Sequence, residues 1–96
     1  MLWHIVSLDT ASLDGAQRLE LADELKRLAQ IPEIQWFHLG VDVERPNVTV
    51  FISVLDGQAA LGRYRQDPIH LQVAESIRGF GMRAQRLDLE GLPVPT

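Results

Sequence analysis

The apolar positions of this chain change period several times, and each change marks an element. Residues 2–8, LWHIVSL, form a run of strand-type residues closed by Asp9 and Thr10. Further on, Leu21, Ala22, Leu25, Leu28 and Ala29 recur at intervals of three and four, which is one apolar face of a helix. Glu20, Asp23, Glu24, Lys26 and Arg27 take the opposite face. Ser12 or Asp14 is placed to cap its start, and Asp14 with Gln17 fits a variant of the capping box. Pro32 stops it.

Residues 34–43, IQWFHLGVDV, read as a second strand, and Glu44 to Asn47 with Pro46 as a tight connection. Residues 48–55, VTVFISVL, are rich in β-branched side chains and read as a third strand. Asp56 and Gly57 end it, and Asp56 is placed to cap a second helix carrying Ala59, Ala60, Leu61 and Tyr64. That helix must break at Pro68, where Asp67-Pro68 is itself a helix start, with Asp at the cap and Pro at the first position. A further helical segment then runs from Pro68 to Arg78, ended by Gly79 and Gly81. Residues 82–89, MRAQRLDL, form a last strand. The order is β-α-β-β-α-β, the ferredoxin-like split βαβ arrangement, an α+β fold with two helices on one face of a four-stranded antiparallel sheet. Residues 1–90 form the domain and residues 91–96, with two prolines, a C-terminal tail.

With helices on one face only, the strands should alternate apolar and polar. They do not. In the third strand Val48, Val50, Ile52 and Val54 oppose Thr49, Phe51, Ser53 and Leu55. In the first, Leu2, His4, Val6 and Leu8 oppose Trp3, Ile5 and Ser7. In the second, Phe37, Leu39, Val41 and Val43 oppose Ile34, Trp36 and His38. Both faces call for cover, and a bare apolar sheet is an aggregation liability. The tail or a curled sheet is one source of cover. A second copy packed sheet to sheet is the more economical one, and it encloses an interior between the two sheets.

Length and composition sharpen this. A chain of 96 residues with no cysteine has no disulfide, thiolate metal site or cysteine nucleophile, so a partner subunit is the stabilising device left open. Its 46% apolar content suits a sheet covered on both faces. The net charge of −4 and the scattered basic residues argue against nucleic acid as a partner. No apolar run is long enough to span a bilayer, and MLWHIVSLD does not read as a signal peptide, so a cytoplasmic protein is expected.

The residues capable of chemistry are few. His38 joins His4 and His70, but their spacing matches no metal-ligand motif, and no metal or other cofactor is expected. Gly79-Phe80-Gly81 follows a helix rather than preceding one, so it terminates and does not cradle phosphate. Trp3, Trp36, Phe37 and Phe51 line a ligand cavity or are plain core. Tyr64-Arg65-Gln66-Asp67-Pro68-Ile69-His70 places a phenol and an imidazole either side of the Pro68 kink, where they serve either chemistry or the kink itself. His4 is either an acid–base group or a buried, hydrogen-bonded core histidine.

With His4 in the opening strand, the Tyr-x-x-x-Pro-x-His spacing of Tyr64, Pro68 and His70, and this order of elements, the chain resembles the stress-responsive dimeric α/β barrel (Dabb) domain family over about residues 2–89. The resemblance implies a dimeric α+β barrel, joined through the open sheet face, with His4 facing the barrel interior. It implies a small apolar or aromatic ligand there, bound among Trp3, Phe37, Thr49 and Phe51. It also implies, as an alternative to binding alone, cofactor-free cyclase or lyase chemistry on a polyketide-like substrate through His4, Tyr64 and His70. Two departures stand out. Asp67 occupies a position often held by His, and the strand-three His of cyclase-type members falls near Thr49, which cannot act as a base.

Overall fold

The computed structural model describes residues 1–91 of the chain. Strand β1 spans Leu2–Asp9, helix α1 Gly15–Lys26, followed directly by a 3₁₀ turn at Arg27–Gln30. Strands β2 (Trp36–Val41) and β3 (Val48–Leu55) form a hairpin, then come helices α2 (Gln58–Gln66) and α3 (Pro68–Phe80) and strand β4 (Arg83–Glu90). The strands lie in the order β2-β3-β1-β4, and each neighbouring pair is antiparallel. The expected ferredoxin-like α+β architecture is therefore present.

Local chemistry accounts for most boundaries. The Asp14 carboxylate accepts from the Gln17 N–H at 2.8 Å while the Gln17 side chain accepts from the Asp14 N–H at 2.9 Å, the reciprocal capping box. Asp67 caps α3 by accepting from the Ile69 N–H at 2.8 Å, with Pro68 at the first helical position. Gly81 closes α3 at φ 71°, a left-handed conformation that a β-carbon disfavours.

Three boundaries and one helix face differ from expectation. Asp56 does not cap α2: the helix starts after Gly57, with no side-chain cap. Gly79 lies within α3, which runs on to Phe80, so Gly81 alone makes the stop. Strand β2 is shorter than residues 34–43. Asp42 accepts from the N–H groups of Glu44 and Arg45, turning the chain before Val43, which is left 91% exposed. Ala29, assigned to the apolar face of the first helix, is exposed because the 3₁₀ turn winds at three residues per turn and rotates it outward. The tail from residue 92 onward, and any cover it gives the sheet, lies outside the described residues.

Cross-strand register assigns the faces, since directly paired residues share a side. Leu2, His4, Val6 and Leu8 pair with Leu55, Ser53, Phe51 and Thr49 on one flank and with Glu90, Asp88, Arg86 and Ala84 on the other. This face lies under the helices, where Leu21, Leu25, Leu28, Ile31, Leu61, Tyr64 and Val73 complete the core. The opposite face carries Trp3 and Ile5, Val50, Ile52 and Val54, Trp36, Leu87 and Leu89. Trp3 and Trp36 pack ring to ring at 6.1 Å there and remain 41% and 48% exposed. Among the described residues no element covers that face.

Candidate functional site

Three strands place polar groups side by side, two of them buried in the core and the third on the exposed strand β4. His4 on β1 stands in register with Ser53 on β3 and Asp88 on β4. His4 is buried, and its Nδ1 lies 2.5 Å from an Asp88 carboxylate oxygen. With Nδ1–H donating to the carboxylate, Nε2 keeps the free lone pair, the arrangement that orients an imidazole for proton transfer. Arg65, at the end of α2, holds the other Asp88 oxygen at 3.6 Å.

The α2–α3 junction lays Tyr64 and His70 over this row. The Tyr64 ring is 5.4 Å from that of His4 and 4.7 Å from that of His70. Tyr64 is fully buried, and neither its hydroxyl nor the buried Ser53 hydroxyl has a hydrogen-bond partner among the described residues. Burial pushes the Tyr64 phenol up to about 12, and the Asp88 charge adds to the shift. The Ser53 hydroxyl is near enough to temper it without meeting Tyr64 in an ordinary hydrogen bond. At neutral pH Tyr64 therefore keeps its proton and can donate a hydrogen bond.

His70 is half-buried in the first turn of α3, its Nδ1 3.1 Å from the Arg65 carbonyl oxygen. Burial lowers its pKa below the ordinary 6.5, and the neighbouring His4, Arg65 and Arg86 push the same way, against the opposing hydrogen bond to the Arg65 carbonyl. Asp67, whose carboxylate is engaged as the α3 cap, does not reverse this. With Nδ1–H donating to that carbonyl, His70 is a neutral imidazole with Nε2 free to accept a proton. A protonated phenol thus stands beside an imidazole that favours its neutral form, a hydrogen-bond donor next to a hydrogen-bond acceptor.

His4, Tyr64 and His70 all line one cavity of about 350 Å³ between the sheet and helices α2 and α3. Val6, Leu8, Leu28, Phe51, Val73 and Ile77 form its apolar wall, and Arg65, Arg78 and Arg86 are its charged side chains. The structure thus brings the three expected catalytic candidates together. Of the two sheet faces open to His4 from the sequence, the structure selects the one beneath the helices of its own chain, where it shares the register of Leu2, Val6 and Leu8, rather than the barrel interior that the resemblance implies. Of the expected ligand-binding residues, Phe51 alone lines the cavity. Phe37 packs against the Phe51 ring, with centroids 6.0 Å apart, and joins the core. Thr49 is half-buried beside Leu8, away from the cavity. Trp3 sits on the opposite sheet face, as an odd-numbered residue of β1 must when His4 points inward. His38 also lies on that face, stacked on Trp36, so the three histidines do not converge. Asp88 is the functional candidate that the sequence reading missed. Its signal was a charged residue alternating with leucines in β4, on the side that the register turns inward.

Comparison with known proteins extends this picture. A family model, the stress responsive A/B barrel domain, matches residues 2–90. No curated protein matches the sequence. Among solved structures, the Arabidopsis thaliana protein At3g17210 superposes with a TM-score of 0.83 at 18% identity, over 100% of both chains. SnoaB, a cofactor-independent oxygenase from Streptomyces nogalater, gives 0.74 at 18% identity, covering 97% of this chain and 95% of its own. A dimeric ferredoxin-like protein of unknown function from Jannaschia gives 0.74 at 23% identity, covering 94% and 98%. At these identities the structural likenesses establish the fold. Among the described residues no helix is long and apolar enough to cross a membrane.

Proposed function

The chain belongs to the stress responsive A/B barrel domain family, and on that footing we propose that it is a homodimer whose cavity takes up a small apolar or aromatic carbonyl compound and performs cofactor-free acid–base chemistry on it. The observation that carries this reading is the convergence of His4, oriented by Asp88, with Tyr64 and His70 on one apolar cavity. In the proposed step His4 or His70 takes a proton from a carbon beside a carbonyl through its free Nε2. Tyr64, whose ring turns to bring its buried hydroxyl to the cavity, donates a hydrogen bond to the enolate oxygen as charge develops there. The enolate carbon then attacks a second carbonyl of the same molecule. One carbon–carbon bond forms, and the new alkoxide recovers the proton from the imidazolium.

A cofactor-independent oxygenase among the structural neighbours supports an interior of this shape that reacts without a bound cofactor. The homodimer is supported by the apolar face bearing Trp3, Trp36, Leu87 and Leu89 and by the dimeric neighbour from Jannaschia. A second reading, ligand binding without turnover, is favoured by one feature: Thr49 stands where cyclase-type members carry another His.

The test is turnover of an aryl-substituted linear polyketone, followed by loss of its enol absorbance. The wild type is expected to convert it, with His4→Ala and His70→Ala each slower by about 100-fold or more, the usual share of a positioned acid–base group. Unchanged rates in both variants remove these histidines from the mechanism. Saturable binding with no conversion leaves the second reading.

A further inference from the structure

The cavity wall is charged with one sign only. Arg65, Arg78 and Arg86 line it, and among the described residues no carboxylate does, in a chain whose net charge is −4. Two of these cations are already engaged. Arg65 faces Asp88 at 3.6 Å, and Arg78 pairs with Glu75 on the exposed side of α3. Arg86 is different. It pairs with Val6 in the sheet, so the register directs it to the helix-covered side, and among the described residues it forms no ion pair. An exposed arginine at the edge of an apolar cavity, with no anion among the described residues to meet it, is placed for an anion that arrives with the ligand.

We propose that the cavity selects amphipathic organic acids, holding an apolar or aromatic body against Val73, Ile77 and Phe51 and the carboxylate on Arg86, with Arg78 assisting. This deepens the reading of the cavity as a ligand site and rests on it. The volume, about 350 Å³, lies in the range of small-molecule sites. The depressed basicity of His70 comes first from burial, and the charges of Arg65 and Arg86 add to it, which is in keeping with a positive field in the cavity. A bound carboxylate offsets that field.

The experiment compares two fluorescent probes that differ by one anionic group, 1-anilinonaphthalene-8-sulfonate and N-phenyl-1-naphthylamine. Both are titrated into the wild type and into Arg86→Gln, Arg86→Gln with Arg78→Gln, Arg83→Gln and Ala74→Trp. Arg83 is the control cation on the uncovered face of β4. Ala74 lines the cavity, and Trp in its place fills it. The expected result is that Arg86→Gln weakens the sulfonate probe by about tenfold, the double variant weakens it further, and the neutral probe moves by less than about twofold. Arg83→Gln changes neither, and Ala74→Trp abolishes both. Equal effects of Arg86→Gln on the two probes, or none on either, overturn the anion assignment while leaving the cavity a ligand site. Retention of both probes by Ala74→Trp, or failure of both to bind the wild type, overturns the ligand-site reading and this proposal together.

Discussion

Replacing Tyr64 by Phe should make the protein more stable and less active. The ring is fully buried and packs between the imidazoles of His4 and His70, and Phe preserves those contacts. The hydroxyl is sealed from solvent and has no partner among the described residues. A buried hydroxyl left unpaired costs about 1–3 kcal/mol of desolvation. Ser53 nearby relieves part of that, so the lower end of the range is the better estimate. Tyr64→Phe should therefore gain about 1 kcal/mol, which raises Tm by about 4–8 °C in a domain this small. The assay is urea and thermal unfolding at one fixed protomer concentration, because the stability of a dimer depends on concentration. Ser53→Ala and the double variant complete a cycle, and coupling between the two hydroxyls should be below about 0.5 kcal/mol. The reasoning is refuted if Tyr64→Phe loses about 1 kcal/mol and couples to Ser53→Ala by a similar amount. In that case the two hydroxyls bond each other, and Tyr64 is a structural residue rather than a donor kept free for a ligand.

Three further outcomes follow from the same structure. Leu87→Arg, on the uncovered sheet face, should convert a dimer to a monomer in light scattering while α2 and α3 stay folded; a variant that remains dimeric moves the interface elsewhere. Asp67→Ala should cost about 1 kcal/mol in urea unfolding, the usual worth of a side-chain cap, and should also slow turnover, since the capped turn carries His70. His70 has a folded pKa below 6.5, because burial and the charges of Arg65 and Arg86 disfavour its protonated form. Its contribution to stability is therefore complete above the unfolded value and lost as pH falls through the folded one. His70→Gln should flatten the decline of the urea midpoint between about pH 7 and pH 5, and a decline as steep as the wild type's would show that His70 does not drive it.

Most of the fold could be read from the chain because each local signal acts over a few residues. The Asp14 capping box, the Asp67-Pro68 start and the β-branched run of β3 all operate through neighbouring atoms, and each was realised. The errors arose where two local signals competed. Asp56 resembles a cap as much as Asp14 does, but Gly57 stands between it and the first turn of α2 and takes the cap position. Gly79 and Gly81 both suit a helix end, and only the latter reaches the left-handed conformation that closes one.

The site was harder for a different reason. A period of two shows which strand residues share a side, but not which side the helices cover, and β1 is apolar on both. That ambiguity put Trp3 beside Phe51 in the expected ligand set, although the sheet separates them. Tyr64 and His70 could be paired from sequence because the Pro68 kink joins them locally. The His4–Asp88 contact spans 84 positions and exists only because β1 and β4 are adjacent in the sheet, so no spacing rule reaches it. What sets Asp88 apart is its setting. A core chosen for stability alone would fill the places of Ser53 and His4 with Val or Leu and close the space beneath Tyr64. Instead, three adjacent strands carry polar groups in one row, two buried hydroxyls lack partners among the described residues, and an apolar cavity opens beside them. Local rules fail here where the fold gives up packing, and a place where packing is given up around an oriented imidazole is where a ligand belongs.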